Sequence, residues 1–159
     1  MLHHLLLNLS LLGMALLLGA TAYESIVIAP NFERDIPNSM RVARQFFSRT
    51  HAGRYFRVLA PATQLLLLAS VVASWSLPAV RWPALMGLAA LVLTDAITYT
   101  IHFPRLAIMF REPIDQDPDR LNRATREWGR WNWVRLVLVL VAFLATVHAV
   151  VISWQIGWM

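Results

Sequence analysis

The run LLLNLSLLGMALLL, Leu5 to Leu18, opens an apolar stretch that continues to Ile28, and the way it is read decides the fold. Ala20, Thr21 and Ala22 resemble the small-residue cleavage site of a secretory signal. Such a signal needs a positive segment ahead of it, and Met1 to His4 contains no Arg or Lys. The run is therefore expected to stay in place as a membrane span. Three further runs follow: Val58 to Leu77, Ala84 to about Phe103, and Trp133 to Ile156. Each reaches the ~20 residues that cross a ~30 Å hydrocarbon layer. The expectation is an all-α bundle of four transmembrane helices, a single integral membrane domain over residues 1–159 with spans at about 5–28, 58–77, 84–103 and 133–156. Only Ser76 to Pro83 joins the second span to the third, with Pro78 and Pro83 as helix stops.

Composition agrees. The chain is 58% hydrophobic and 14% charged, against about 25% charged in soluble domains. All 14 basic residues are Arg, an excess that gives a formal charge of +5. Their placement argues for orientation in a membrane and against a nucleic-acid partner. Segment 31–57 holds six (Arg34, Arg41, Arg44, Arg49, Arg54, Arg57) and segment 104–131 another six (Arg105, Arg111, Arg120, Arg123, Arg126, Arg130). The 76–83 turn has only Arg81. By the positive-inside rule both long loops face the cytoplasm and both termini lie outside, in a multi-pass protein of a bacterial inner membrane. Trp75, Trp82, Trp154 and Trp158 are expected at the outer interface, and Trp128, Trp131 and Trp133 at the inner one. Cysteine is absent, which excludes disulfides, thiolate metal sites and thiol redox chemistry.

The loops carry helix signals. Asn38-Ser39 is expected to cap a basic amphipathic helix near Met40–Thr50, with Met40, Ala43, Phe46 and Phe47 on one side, lying in the cytoplasmic interface. Asp117-Pro118-Asp119 reads as the N-cap and first two positions of a helix that runs through Trp128 into the fourth span.

Ionisable groups inside a span are costly, at least ~2.5–3.5 kcal/mol for Asp or Arg at a helix centre. This chain has Glu24, Asp95, His102 and Arg135 there. Asp95, Thr98, Tyr99 and His102 are spaced as one helical stripe, as are Trp128, Asn132 and Arg135. Gly13, Leu17, Ala20 and Glu24 share a face whose small residues allow close helix approach. Span direction puts Glu24, His102, Asn132 and Arg135 in the cytoplasmic half of the bundle, level with His51 and Tyr55, so a polar site opening toward the cytoplasm is expected. The plainer readings are that Arg135 snorkels to headgroups, that Glu24 and Arg135 form a structural ion pair, and that His102 is hydrogen-bonded within the bundle. His3, His4 and His148 are a second candidate grouping, for a metal or haem on the outer side.

Three segments carry a resemblance: Gly19 to Pro30 (GATAYESIVIAP), Thr100 to Leu106 (TIHFPRL) and Trp128 to Arg135 (WGRWNWVR). Together they resemble the anthrone oxygenase-like family of small four-helix membrane proteins. The resemblance implies a four-helix fold and, as for some members, oxidation of an anthrone to an anthraquinone by dioxygen. Carried over, it points to Glu24 beside Tyr23, to His102, and to Trp128, Asn132 and Arg135. The chain departs from the family pattern in having His102-Phe103-Pro104 where an Asn-containing segment often closes span three. On this basis His102, Asp95, Arg135 and Glu24 are the catalytic candidates, with Tyr23, Tyr99, Trp128 and Asn132 lining a small apolar substrate. His102 or Asp95 would take a proton, and Arg135 with Asn132 would hold the enolate oxygen. An electron-rich carbanion reduces dioxygen itself, so neither flavin nor metal is obligatory and the cofactor is left open. The alternative is iron or copper on Glu24, Asp95, His102 and His51. Beyond enzymes, the alternatives are a ligand-binding or adaptor bundle, or a homo-oligomeric channel with Asp95 facing a shared pore.

Overall fold

In a computed structural model, which describes residues 2–157, the chain is helical throughout its ordered elements. Five helices follow one another: α1 (Leu2–Glu33), α2 (Asn38–Phe46), α3 (Ala52–Ala73), α4 (Pro78–Arg111) and α5 (Pro118–Gly157). Four of them, all but α2, are long and apolar enough to cross a membrane. Trp158 lies outside the described residues.

The helices are longer than the apolar runs predict, and they overshoot at one end. α1 continues past Ile28 to Glu33, α4 past Phe103 to Arg111, and α5 starts fifteen residues before Trp133, at Pro118. These extensions carry the bundle past the apolar runs on the arginine-rich side. α3 sits earlier in the sequence than the run 58–77, because Arg54 and Arg57 are included in its exposed first turns. It stops where the Ser74 amide and hydroxyl both turn back to the Ser70 carbonyl. Pro78 opens α4, but Pro83 lies inside it.

Around the bundle, α1 packs on α3 and α5, and α4 packs chiefly on α5. Small and hydroxylated residues make these crossings tight. A side chain at Gly13 would overlap Thr63 of α3, and one at Gly87 would meet Thr146 and the Ala142 carbonyl of α5. The Ser10 and Ser70 hydroxyls face each other at 3.4 Å. This is how helices associate in lipid, where apolar burial alone gives no preference. Leu7, Met14, Leu17, Leu67, Val80, Leu91 and Val139 fill the space between.

A second core lies at the arginine-rich end. Ala29 and Phe32 of α1, Met40 and Ala43 of α2, Met109 of α4, and Leu121, Ala124 and Trp128 of α5 are buried together. Phe32 stacks on Trp128 at 5.6 Å and meets Phe47 and Phe110 edge-on. α2 thus docks on the protruding helix ends, where the Arg44 Nε donates to the Met109 carbonyl at 2.8 Å and Arg41 pairs with Asp115. Phe46, expected with Met40 and Ala43, points the other way and is 77% exposed. The expected Asn38-Ser39 cap does not form either: Pro37 precedes the helix, and the Ser39 hydroxyl donates to the Phe32 carbonyl at 2.6 Å. At α5 the cap forms as expected, with Asp117 Oδ1 accepting the Arg120 amide at 2.8 Å.

His4 and Trp154 stack at 4.7 Å and His4 shares a 2.6 Å hydrogen bond with Ser153, so both ends of the described chain meet at the far end of the bundle. His3 lies against His4, whereas His148 is exposed and does not join them.

Candidate functional site

α1 and α4 share a local device. Each contains one widened, π-helical turn, Glu24–Ile28 in α1 and Thr98–His102 in α4, and each turn is followed two residues later by a proline, Pro30 or Pro104. Proline has no amide hydrogen to give to the carbonyl four residues back, and its ring crowds that carbonyl. The widened turn re-registers the ladder: the Ala29 amide bonds to Glu24 and the Phe103 amide to Thr98, five residues back. One extra residue turns the side chains before and after it by about 100° relative to one another.

That rotation explains where the candidates go. Asp95 and His102 do not form the single stripe that α-helical spacing predicts. His102 is turned inward to 1% exposure, while Tyr99 is turned outward and is 67% exposed. Tyr23, just before the α1 turn, is also outward at 58%. Asp95 faces α3, where Gln64 Nε2 donates to its Oδ2 at 2.6 Å.

What converges is a cluster between the two apolar cores. Glu24 Oε2 lies 3.7 Å from Arg135 Nη1. The same Nη1 donates to Asn132 Oδ1 at 3.2 Å, and the guanidinium stands 5.3 Å from the centre of the Phe56 ring. The Ser25 hydroxyl donates to the Asn132 carbonyl at 3.2 Å and to Thr21, tying the α1 turn to α5. His102 meets the edge of Trp128 at 6.1 Å and lies within Coulombic reach of Arg135 and Arg105. Arg135 is in similar reach of Asp95. Just outside, Arg105 pairs with Glu127 at 2.9 Å. A side chain at Gly129 would overlap the Glu33 carboxylate, so α1 and α5 run in close contact here too.

The cluster is rich in unused hydrogen-bonding capacity. Both ring nitrogens of His102, Nδ2 of Asn132 and Nε of Arg135 are buried without a well-formed hydrogen bond among the described residues, the His102 ring having only the Trp131 backbone within reach. Buried polar groups are nearly always satisfied, so four such atoms on neighbouring helices make this cluster the candidate site. Arg135 and Asn132 present donors here, beside the carboxylate of Glu24 and the imidazole of His102.

The candidates thus divide. Glu24, His102, Trp128, Asn132 and Arg135 come together, with Trp128 buried in the second core. Asp95 stands apart on its bond to Gln64. Tyr23 and Tyr99 face outward. His51 is exposed ahead of α3, so the set Glu24, Asp95, His102 and His51 is not gathered. Among the described residues no three His, Asp or Glu side chains converge as metal ligands. Ser25 and Phe56 were not singled out from the sequence. Ser25 had a signal in its place beside Glu24, while nothing marked Phe56 among the aromatic residues ahead of the second apolar run. Two hollows lie elsewhere: a cleft of about 200 Å³ between Glu112, Gln116, Asp117 and Arg120, and an apolar groove of about 440 Å³ along the outward side of α4 from Leu85 to Ala96.

Comparison with known proteins gives one match. No curated protein and no solved structure matches the chain. The family model described as anthrone oxygenase matches residues 44–145, more than half of the sequence. The matched segment contains His102, Trp128, Asn132 and Arg135 and leaves α1 with Glu24 outside it. This chain belongs to the anthrone oxygenase family.

Proposed function

We propose that this protein is a membrane-embedded oxygenase that converts a flat, apolar, anthrone-type ketone to the corresponding quinone with dioxygen. The observation that carries the reading is the set of unpaired, buried nitrogens on His102, Asn132 and Arg135 beside Glu24, between two apolar cores, in a member of this family. An anthrone dissolves in hydrocarbon, carries an acidic methylene C–H and has one carbonyl oxygen. Its oxidation requires three things: loss of a proton, a partner for the resulting enolate oxygen, and contact with dioxygen. The balance is one anthrone and one dioxygen to one anthraquinone and one water. The methylene carbon gains a doubly bonded oxygen, its two hydrogens leave with the other oxygen atom, and the O–O bond breaks.

Arg135 and Asn132 hold the enolate oxygen, where fixed donors in a dry site act most strongly. His102 supplies a further donor from the opposite wall, and Trp128 sets its ring. The enolate carbon then delivers electrons to dioxygen, which partitions into the bilayer with the substrate. The arginine-rich end faces the cytoplasm of a bacterial inner membrane, so the site lies near the inner headgroup level. The experiment is turnover of anthrone to anthraquinone by the purified chain in detergent under air. His102→Ala and Arg135→Ala abolish it while the helical circular dichroism signal is retained. Undiminished turnover in both variants rejects the site.

A further inference from the structure

Resting on the oxygenase reading above, we propose that Glu24 is the general base, and that proton transfer to it passes Arg135 from the Glu24 carboxylate to the enolate.

The geometry of the pair is the starting point. At 3.7 Å, Glu24 and Arg135 are held by charge without a hydrogen bond. Arg135 is instead fixed by Asn132 through Nη1, and its Nε stays unpaired. The guanidinium is therefore oriented independently of Glu24 and has a donor in reserve for another oxygen anion. Glu24 is a counterion that can be released without losing the geometry of the cation it serves.

Counting charges then separates the two candidate bases. The site starts with one carboxylate and one guanidinium. When a substrate C–H bond breaks and its proton goes to a Glu24 oxygen, the electron pair moves to the carbonyl oxygen, which becomes the enolate. The site still holds one anion and one cation, and Arg135 has lost one partner as it gains the other. When the proton goes to His102 instead, Glu24 stays charged and an imidazolium appears within reach of Arg135 and Arg105. Two more buried charges then exist, with the new cation among cations, and each needs compensation in a medium of low dielectric. The transfer to Glu24 needs none. His102 is left as a neutral donor to the substrate oxygen.

Two measurements test this on the full chain in detergent: conversion of anthrone under air, and binding of the phenolate form of a monohydroxyanthraquinone dye followed by its visible absorbance. Glu24→Gln keeps the shape and lowers turnover at least ~100-fold, Glu24→Asp retains a measurable part, and His102→Gln, which keeps a donor, remains more active than Glu24→Gln. In the titration Glu24→Gln binds the phenolate roughly tenfold more tightly than the natural chain, because Arg135 no longer has a competing anion. Turnover of Glu24→Gln within about threefold of the natural chain overturns the proposal, and so does equal phenolate affinity. If the natural chain converts no anthrone, the oxygenase reading fails; the dye titration still decides whether Glu24 and a ligand anion compete for Arg135.

Discussion

In α1 the widened turn begins at Glu24, six residues before Pro30; in α4 it begins at Thr98, six residues before Pro104. The two turns share a cause but deliver different groups. The first places its opening residue, a carboxylate, against Arg135, and Ser25 then fastens the turn to the α5 backbone. The second places its closing residue, an imidazole, against Trp128, with no side-chain bond to hold it. One wall of the site is thus tied by charge and a hydroxyl, and the other by packing and the nearby Trp131 backbone. Pro61 and Pro83 also lie inside helices, yet no widened turn precedes either of them, so proline alone does not decide where the ladder yields.

The largest break to that comparison is removal of the charge on the tied wall. Arg135→Leu leaves Glu24 buried without a counterion and lowers stability by about 3–5 kcal/mol. Thermal unfolding in detergent reads this, and the Glu24→Leu/Arg135→Leu double variant recovers most of the loss. On the packed wall, Pro104→Ala permits the turn to regain α-helical pitch and swings His102 away from Trp128. Turnover falls about 100-fold, as misplacement of a reacting group does, with the ring nitrogen resonances of His102 shifting in nitrogen-15 spectra. Next comes Gln64→Leu, which leaves a lone Asp95. It costs about 1–3 kcal/mol of stability while turnover stays near that of the natural chain, separating a structural polar pair from the reactive one. Smallest is Asp117→Ala, far from both turns, where loss of the cap costs about 1 kcal/mol, again seen by thermal unfolding.

Much of this was legible in the sequence. Apolar runs of sufficient length gave the four spanning helices, and the Asp117-Pro118 signal marked the start of α5. The spacing of Trp128, Asn132 and Arg135 survives because α5 is an uninterrupted α-helix. Spacing failed in α4, where the widened turn separates Asp95 from His102 and sends Tyr99 outward. A single residue added to a turn leaves no mark in a hydrophobic pattern. The arginine-rich end also went unread as a folded unit. Its core draws on helix ends from four segments, and hydropathy ends a helix where the lipid ends.

The cluster joins the first long helix to the last, and this has a consequence for how the chain is made. Glu24 and Arg135 stand 111 positions apart. At roughly 5–20 residues per second of synthesis, that is on the order of ten seconds. During that interval the carboxylate has been made and its cation does not yet exist. Seating of the site therefore belongs to the final docking of α5 and not to insertion of any one helix.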